Sequence, residues 1–235
     1  MACAVVALLA AVAIPATSRI SEYTSRTKSI SNLRQLGVAA RLYANDHNQQ
    51  LPGQPSANGI PSASGGPAQW PELFCAYLTP SDPAVFVDSG DPVTSKLPLA
   101  AILSNTTNNT AFIYNGFDDL ASNNQPPETV SLTTLATPAE IVLLAQKTRG
   151  ASAFFVSPLF QPIANLLSLL NPAAYDGGSH YLFADGSVRF ITQADYSNSF
   201  WLVDKNITLP FPPLLPIPHG RPDTFDASSL ASIIL

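Results

Sequence analysis

The sequence predicts an α+β protein in which a long N-terminal α-helix packs on a small antiparallel β-sheet head with long proline-rich loops. Three observations support this fold class. Residues 18–45 carry apolar side chains at helical spacing and contain no proline. Short apolar runs beyond residue 110 are separated by turn residues, which is typical of antiparallel sheets. The 22 prolines are roughly twice the usual share, so much of the chain must be irregular.

The N-terminal segment predicts one helix, which we assign to residues 1–50. Residues 1–14 are all apolar, fewer than the roughly 20 that a confident transmembrane helix needs. A cleaved secretory signal is the competing interpretation, but no Lys or Arg precedes the apolar run. A helix of about 45 residues would be about 65 Å long, which is too long for the head to cover. We therefore expect part of it to lie in lipid or against other subunits. The apolar stripe of its second half comprises Ile20, Tyr23, Ile30, Leu33, Leu36, Ala40 and Tyr43.

Residues 51–208 predict the globular head. Polar breakers after Asn45 and Pro52 end the helix, and a low-complexity loop follows over 54–67. Residues 70–78 predict a short helix. Strands are predicted over 111–117, 140–146, 152–156, 180–184 and 187–191. Residues 209–222 hold six prolines, so 209–235 is predicted as an extended C-terminal arm.

The segment YDGGSHYLFADGSVRF, residues 175–190, predicts a β-hairpin rather than an active site. Asp185-Gly186 between two apolar runs favours a two-residue type I′ turn, in which both residues have positive φ. That turn would pair Phe183 with Val188, Leu182 with Arg189 and Tyr181 with Phe190. Asp185 would then serve the backbone conformation and not acid–base chemistry. Gly177-Gly178 would form the turn before the first strand.

Composition and motifs argue against several classes of function. The net charge is −5 and no Lys/Arg cluster occurs, so we predict no nucleic-acid partner. Asp176, His180 and Asp185 could form a metal or acid–base cluster, but their spacing does not require one. No phosphate-binding loop, nucleophile elbow or paired-cysteine motif occurs. We therefore predict a protein without catalytic activity, cofactor or catalytic metal.

A calcium site is the remaining metal interpretation. Asp118 and Asp119 lie in an Asn-rich segment, 115–124, whose oxygen atoms are hard ligands suited to Ca²⁺. The segment lacks the regular spacing of an EF-hand loop. We favour a plain solvated loop there and keep calcium as the alternative.

Both ends of the chain resemble one family. The helix end SISNLRQLGVAARLYANDHNQQLPG (29–53) and the hairpin phrase GGSHYLFADGSVRF (177–190) resemble bacterial proteins with a prepilin-type cleavage and methylation leader. These are type IV pilin-like proteins close to the major pseudopilins of type II secretion, of the kind abundant in planctomycetes and verrucomicrobia. Their closing motif is a histidine, nine residues, then Asp-Gly. The matching positions are Tyr175, Gly177, Gly178, Asp185 and Gly186.

Two features depart from the family's pattern. Tyr175 occupies the place of the family's histidine, and His180 stands where the family often has asparagine. Alignment on Pro15 puts Met1 about seven residues inside the family's mature N-terminus. The peptidase site and the glutamate that follows it are therefore missing, and Val5 does not supply the acid. We expect either a start upstream or a divergent member.

The resemblance implies a structural subunit whose N-terminal helices pack in the core of a filament. Expected partners are further copies of the chain, other pilin-like subunits, the inner-membrane assembly machinery and prepilin peptidase. The expected location is the bacterial inner membrane, then a periplasmic or cell-surface filament. Two alternatives stay open: a membrane-anchored binding or adhesion protein of pilin fold that does not polymerise, and a secreted enzyme. The expected filament-core residues are Ala4, Ala7, Leu8, Ala11, Ile14, Pro15, Ile20, Tyr23, Ile30 and Leu33.

Overall fold

A computed structural model describes most of the chain up to residue 193. The described residues are 2–54, 60–62, 65–78, 83–88, 94–104, 106–117, 129–135, 137–156 and 168–193. Side chains are described for Ile20 and from Glu22 onward within these ranges. The predicted calcium residues Asp118 and Asp119 and the predicted arm 209–235 lie outside the described residues.

The longest element is a helix, α1, over Ala2–Asp46. It ends where Asn48 and Gln49 take up left-handed backbone conformations, with φ of 55° and 64°. The amide of Gln49 then donates to the Ala44 carbonyl at 2.6 Å, which closes the last turn. The predicted helix end at the polar breakers is therefore confirmed. Within the described chain, no helix has the combination of length and hydropathy that crossing a bilayer requires.

The head is a mixed sheet, which corrects the prediction of a purely antiparallel one. The strands are β1 Gln50–Pro52, β2 Phe112–Asn115, β3 Thr129–Ser131, β4 Val142–Gln146, β5 Phe155–Val156, β6 Gly178–Phe183 and β7 Val188–Thr192. Five of them form one sheet in the order β5-β2-β4-β6-β7, and β1 pairs with β3 separately. The β2–β5 pair is parallel, whereas the other pairs are antiparallel.

The parallel edge strand arises because the chain after β4 turns back and passes to the far side of β2. Gly150, with φ of 83°, allows the turn. The Asn108 side-chain amide holds the returning segment, because it donates to Ala153 O at 2.7 Å and to Phe112 O at 3.0 Å. Of the predicted strand 152–156, only Phe155–Val156 forms a strand. Its direction depends on contacts with residues more than 40 positions away.

The sheet is buried on both faces. One face packs on α1 and on a short helix, α2, over Trp70–Cys75, which lies inside the predicted helical segment. Gly37 lies so close to β6 that an added Cβ would be 2.9 Å from Leu182 Cδ1. A helix not predicted, α3, covers Leu99–Ile102. The second face has its own apolar cluster of Ile113, Val142, Ala145, Val156, Leu170, Tyr181 and Phe183.

The predicted apolar stripe of α1 is covered by the head only in its C-terminal part. Leu33, Leu36, Ala40 and Tyr43 are buried, and Ile30 is half-buried. Ile20 and Tyr23 are 65% and 73% exposed. The expected core residues Ala4, Ala7, Leu8, Ala11, Ile14 and Pro15 lie within α1, and their side chains are outside the described part.

The β6–β7 hairpin is present, but its predicted register is wrong by one residue. The observed pairs are Leu182 with Val188, Tyr181 with Arg189 and His180 with Phe190. Of the turn residues only Gly186 has positive φ, at 81°, so the turn is not type I′. The reason is the Asp185 carboxylate, whose Oδ1 accepts hydrogen bonds from Ser187 N at 2.8 Å and Ser187 Oγ at 2.6 Å. Its side chain therefore shapes the turn, contrary to the prediction.

The one-residue shift redistributes the aromatic side chains. Tyr181 and Phe183 face the second cluster, whereas Leu182 and Val188 face α1. The predicted pairs of Phe183 with Val188 and of Tyr181 with Phe190 would have put all four side chains on one face, and that face does not form. Instead His180 lies opposite Phe190. This pair is part of a contact between the hairpin and α1.

Candidate functional site at the helix–hairpin junction

Helix α1 contacts residues 175–190 through side chains that lie one or two helical turns apart. Glu22 Oε1 accepts a hydrogen bond from Asp176 N at 2.7 Å. The Arg26 guanidinium lies over the Phe190 ring at 3.8 Å, a cation–π contact. Ser29 follows on the same helical face and is buried. Residues 2–21 of α1 lie N-terminal to the first of these contacts.

A single amide joins three elements at this point. Gln146 Nε2, at the end of β4, donates to Ser29 Oγ of α1 at 2.9 Å and to Tyr175 Oη at 2.8 Å. Burial raises the pKa of the Tyr175 hydroxyl, while the hydrogen bonds from Ser29 and Gln146 act in the opposite direction. Tyr175 is therefore a neutral phenol at physiological pH, anchored to the helix through Gln146.

Tyr175 also begins a tight turn into β6. Its N–H donates to Gly178 O at 3.0 Å, and Gly178 N–H donates back to Tyr175 O at 3.1 Å. Gly177 between them has φ of 79°, a conformation that favours glycine. The predicted entry turn is thus present, and it places the Tyr175 ring against that of His180.

His180 is a residue of this contact whose surroundings the sequence does not reveal. Its side chain is 2% exposed and lies between two rings, with centroids 5.2 Å from Tyr175 and 5.1 Å from Phe190. Its Nδ1 has no hydrogen-bond partner among the described residues. Burial, and secondarily the charge of Arg26, lower the pKa of His180 to about 4. We call Glu22, Arg26, Ser29, Gln146, Tyr175, His180 and Phe190 the helix–hairpin junction.

The motif residues do not converge on one site. Asp185 and Gly186 lie at the far end of β6, about 20 Å from Tyr175 for a six-residue strand. There Gly186 lies against the Arg41 side chain, since an added Cβ would be 2.9 Å from Arg41 Nε. The hairpin therefore runs along α1 and contacts it at both ends. In the sequence, only the repeated glycines and the short polar residues of this segment indicate such close packing of the hairpin on α1.

The acid–base cluster considered from the sequence does not form. Asp185 hydrogen-bonds Ser187 and lies 3.7 Å from Arg189, while Asp176 contributes its backbone to Glu22. No group of three His, Cys, Asp or Glu suited to a metal ion occurs among the described residues. A cavity of about 10 Å³ beside Gly37, Arg41 and Gly186 has room for about one water molecule.

The outward surface of α1 is the second candidate site. Ile20, Tyr23, Val38 and Leu42 are exposed apolar residues on this helix. Between them, Thr24 and Thr27 donate their hydroxyls to the helix carbonyls of Ile20 and Tyr23, each at 2.9 Å. These hydroxyls need no outside partner, so this part of the helix can enter an apolar contact at low cost.

Comparison of the chain with family models, with curated proteins and with solved structures finds no match.

Proposed function

We propose that this chain is a structural subunit of a type IV pilus-like or type II secretion pseudopilus filament, assembled by packing of its N-terminal helices. It acts without catalysis or cofactor. Its partners are further copies, other pilin-like subunits, the inner-membrane assembly machinery and prepilin peptidase. The subunit waits in the bacterial inner membrane and then enters a periplasmic or cell-surface filament.

The observation that carries this proposal is the 45-residue α1, whose exposed apolar side chains begin before its first contact with the head. At 1.5 Å per residue, the 20 positions before Glu22 extend about 30 Å along the axis. Burying Ile20 and Tyr23 between subunits would contribute about 1.5–3 kcal/mol for each fully buried side chain. Small residues throughout 2–13 would allow close approach of neighbouring helices.

The junction supports the same proposal. It ties α1 to the head through Glu22, Arg26 and Ser29, so a force or contact applied to the helix is passed to the sheet. A filament subunit needs such a connection because its helix and its head pack against different neighbours.

We expect the double variant Ile20→Asp with Tyr23→Asp to abolish filaments. Two carboxylates on the exposed face would have to be desolvated in a helix–helix contact. Because both positions are exposed in the isolated subunit, the free energy of unfolding should change by no more than about 0.5 kcal/mol each. The measurement is electron microscopy of sheared cells and of purified full-length protein after detergent removal.

The matched control is Ile60→Asp, which places the same charge on an exposed apolar residue of the head, outside α1. It should retain filaments. Filaments made equally well by the double variant would contradict packing through Ile20 and Tyr23. A wild-type chain that stays monomeric and binds surfaces would instead favour the adhesion alternative.

A further inference from the structure

His180 lies between two aromatic rings that are each tied to residues 22–29 of α1. On one side its ring contacts Tyr175, which is anchored through Gln146 to Ser29 of α1. On the other side it contacts Phe190, whose ring carries the Arg26 guanidinium. Any change in the imidazole therefore reaches the helix by two routes.

The charged groups around His180 favour its neutral form. From α1, the Arg26 cation lies over the Phe190 ring that His180 also contacts, while the Glu22 carboxylate accepts a hydrogen bond from the Asp176 amide. The acid in residues 83–88 is Asp88, whose charge adds to the effect of burial in raising the pKa of Tyr175. From β4 the neighbour is the neutral amide of Gln146, and Arg189 of β7 lies over Phe183 instead. Together with burial, the Arg26 charge lowers the pKa of His180.

We propose that His180 is an acid-sensitive release for α1: uptake of one proton from solvent by its imidazole opens the helix–hairpin junction. The protonated ring would be a buried cation in contact with Phe190, over whose ring the Arg26 cation already lies. Rehydration of the new charge requires the rings of Tyr175 and Phe190 to separate. When the rings separate, Arg26 loses its contact with the Phe190 ring. Residues 22–29 of α1 are then less tightly attached to the hairpin. The inference does not depend on the filament function.

The pH window follows from the two protonation states. The folded pKa of about 4 lies below the ordinary value of 6.5, so the open form binds the proton more readily than the closed form. The junction is fully closed above about pH 6.5, and its closure weakens as the pH falls toward 4. Over that window the opening equilibrium constant should rise by on the order of 100-fold.

Hydrogen exchange of the full-length chain tests the proposal. Backbone amides of residues 22–36 are followed at pH 7.0 and pH 4.5, with rates normalised to the intrinsic exchange rate at each pH. In the wild type, protection of this segment should fall by on the order of 100-fold on acidification. In His180→Phe and His180→Gln the pH-dependent loss should shrink to less than about tenfold, because neither side chain titrates in this range.

Tyr175→Phe is the matched control within the same junction. It loses the hydroxyl that accepts from Gln146 but stays uncharged at both pH values. Protection should therefore fall by about fivefold at both pH values, with the wild-type pH ratio retained. A wild-type pH ratio in both His180 variants would overturn the proposal.

A second measurement covers the case in which neither His180 variant folds. Imidazole resonances of the wild-type chain are followed by NMR between pH 8 and pH 3.5, with loss of α1 protection recorded alongside. We expect one imidazole that stays neutral to below pH 5 and titrates together with that loss. A folded chain in which no imidazole titrates below pH 5 would overturn the assignment.

Discussion

Replacing Gly178 by alanine is expected to lower the free energy of unfolding by about 3 kcal/mol, at the upper end of the cost of overpacking. A Cβ at this position would lie 2.3 Å from Ile191 O and 2.8 Å from Phe190 Cζ. The carbonyl belongs to the β6–β7 ladder, in which Gly178 pairs with Thr192, so it cannot withdraw without breaking that pairing. The Arg26 guanidinium lies over the Phe190 ring at 3.8 Å, which restricts movement of that ring. The measurement is urea unfolding of the full-length chain in mild detergent, followed by circular dichroism.

The neighbouring Gly177 is the matched control for this change. It has φ of 79°, and an added Cβ would meet nothing within 4 Å. Gly177→Ala should therefore cost only the strain of a left-handed backbone, about 1 kcal/mol. If both variants lose the same free energy of unfolding, the close approach of the strands is not the reason for a glycine at position 178.

Replacing Trp70 by alanine is expected to lower the free energy of unfolding by about 3–5 kcal/mol, the range for large aromatic residues in cores. Trp70 is fully buried and lies within about 6 Å, between ring centroids, of Phe74, Phe86 and Tyr114. Its indole N–H also donates to Phe154 O at 3.2 Å, next to β5. The loss combines a cavity with one of the two hydrogen bonds that Phe154 O accepts, since Tyr114 N–H still donates to it at 3.0 Å. The same urea titration measures this loss.

Two further variants separate these contributions. Trp70→Phe keeps most of the apolar ring but not the N–H, so it should lose about 1–3 kcal/mol.

Tyr23→Ala removes an aromatic ring that is 73% exposed, and it should change stability by less than about 0.5 kcal/mol. A large loss from Tyr23→Ala would contradict its exposed position and with it the filament test that uses this residue.

The local pattern of the sequence was sufficient to predict α1, α2 and most strands of the five-stranded sheet, but not β1, β3 or α3. The 3.6-residue spacing from Leu33 to Tyr43 predicts both the helix and the face that α1 buries, and both are confirmed. The alternating and apolar runs predict β2, β4, β6 and β7 within a few residues. These features depend on neighbours within about one or two turns of chain, which is the range over which periodicity carries information.

The hairpin register and the site itself required longer-range information. The Asp-Gly pair predicted a two-residue turn, but the Asp185 carboxylate turned to Ser187 and lengthened the loop. Tyr175 could be recognised as standing in a histidine's place. Its role became clear only through Gln146, which also hydrogen-bonds Ser29 across 117 positions of sequence.

The sequence by itself determined that this chain forms a long helix followed by short strands, and which face of the C-terminal half of that helix is buried. Tertiary structure decided the parallel placement of β5, the pairing of His180 with Phe190 and the burial of His180 between two rings. The physical reason is that β5 depends on contacts more than 40 positions apart, while the hairpin register depends on which hydrogen bonds the Asp185 side chain makes. The burial of His180 depends in addition on α1, whose Glu22 contacts Asp176 across 154 positions. Whether an imidazole is solvated or enclosed is fixed by what packs around it, and no local pattern encodes that.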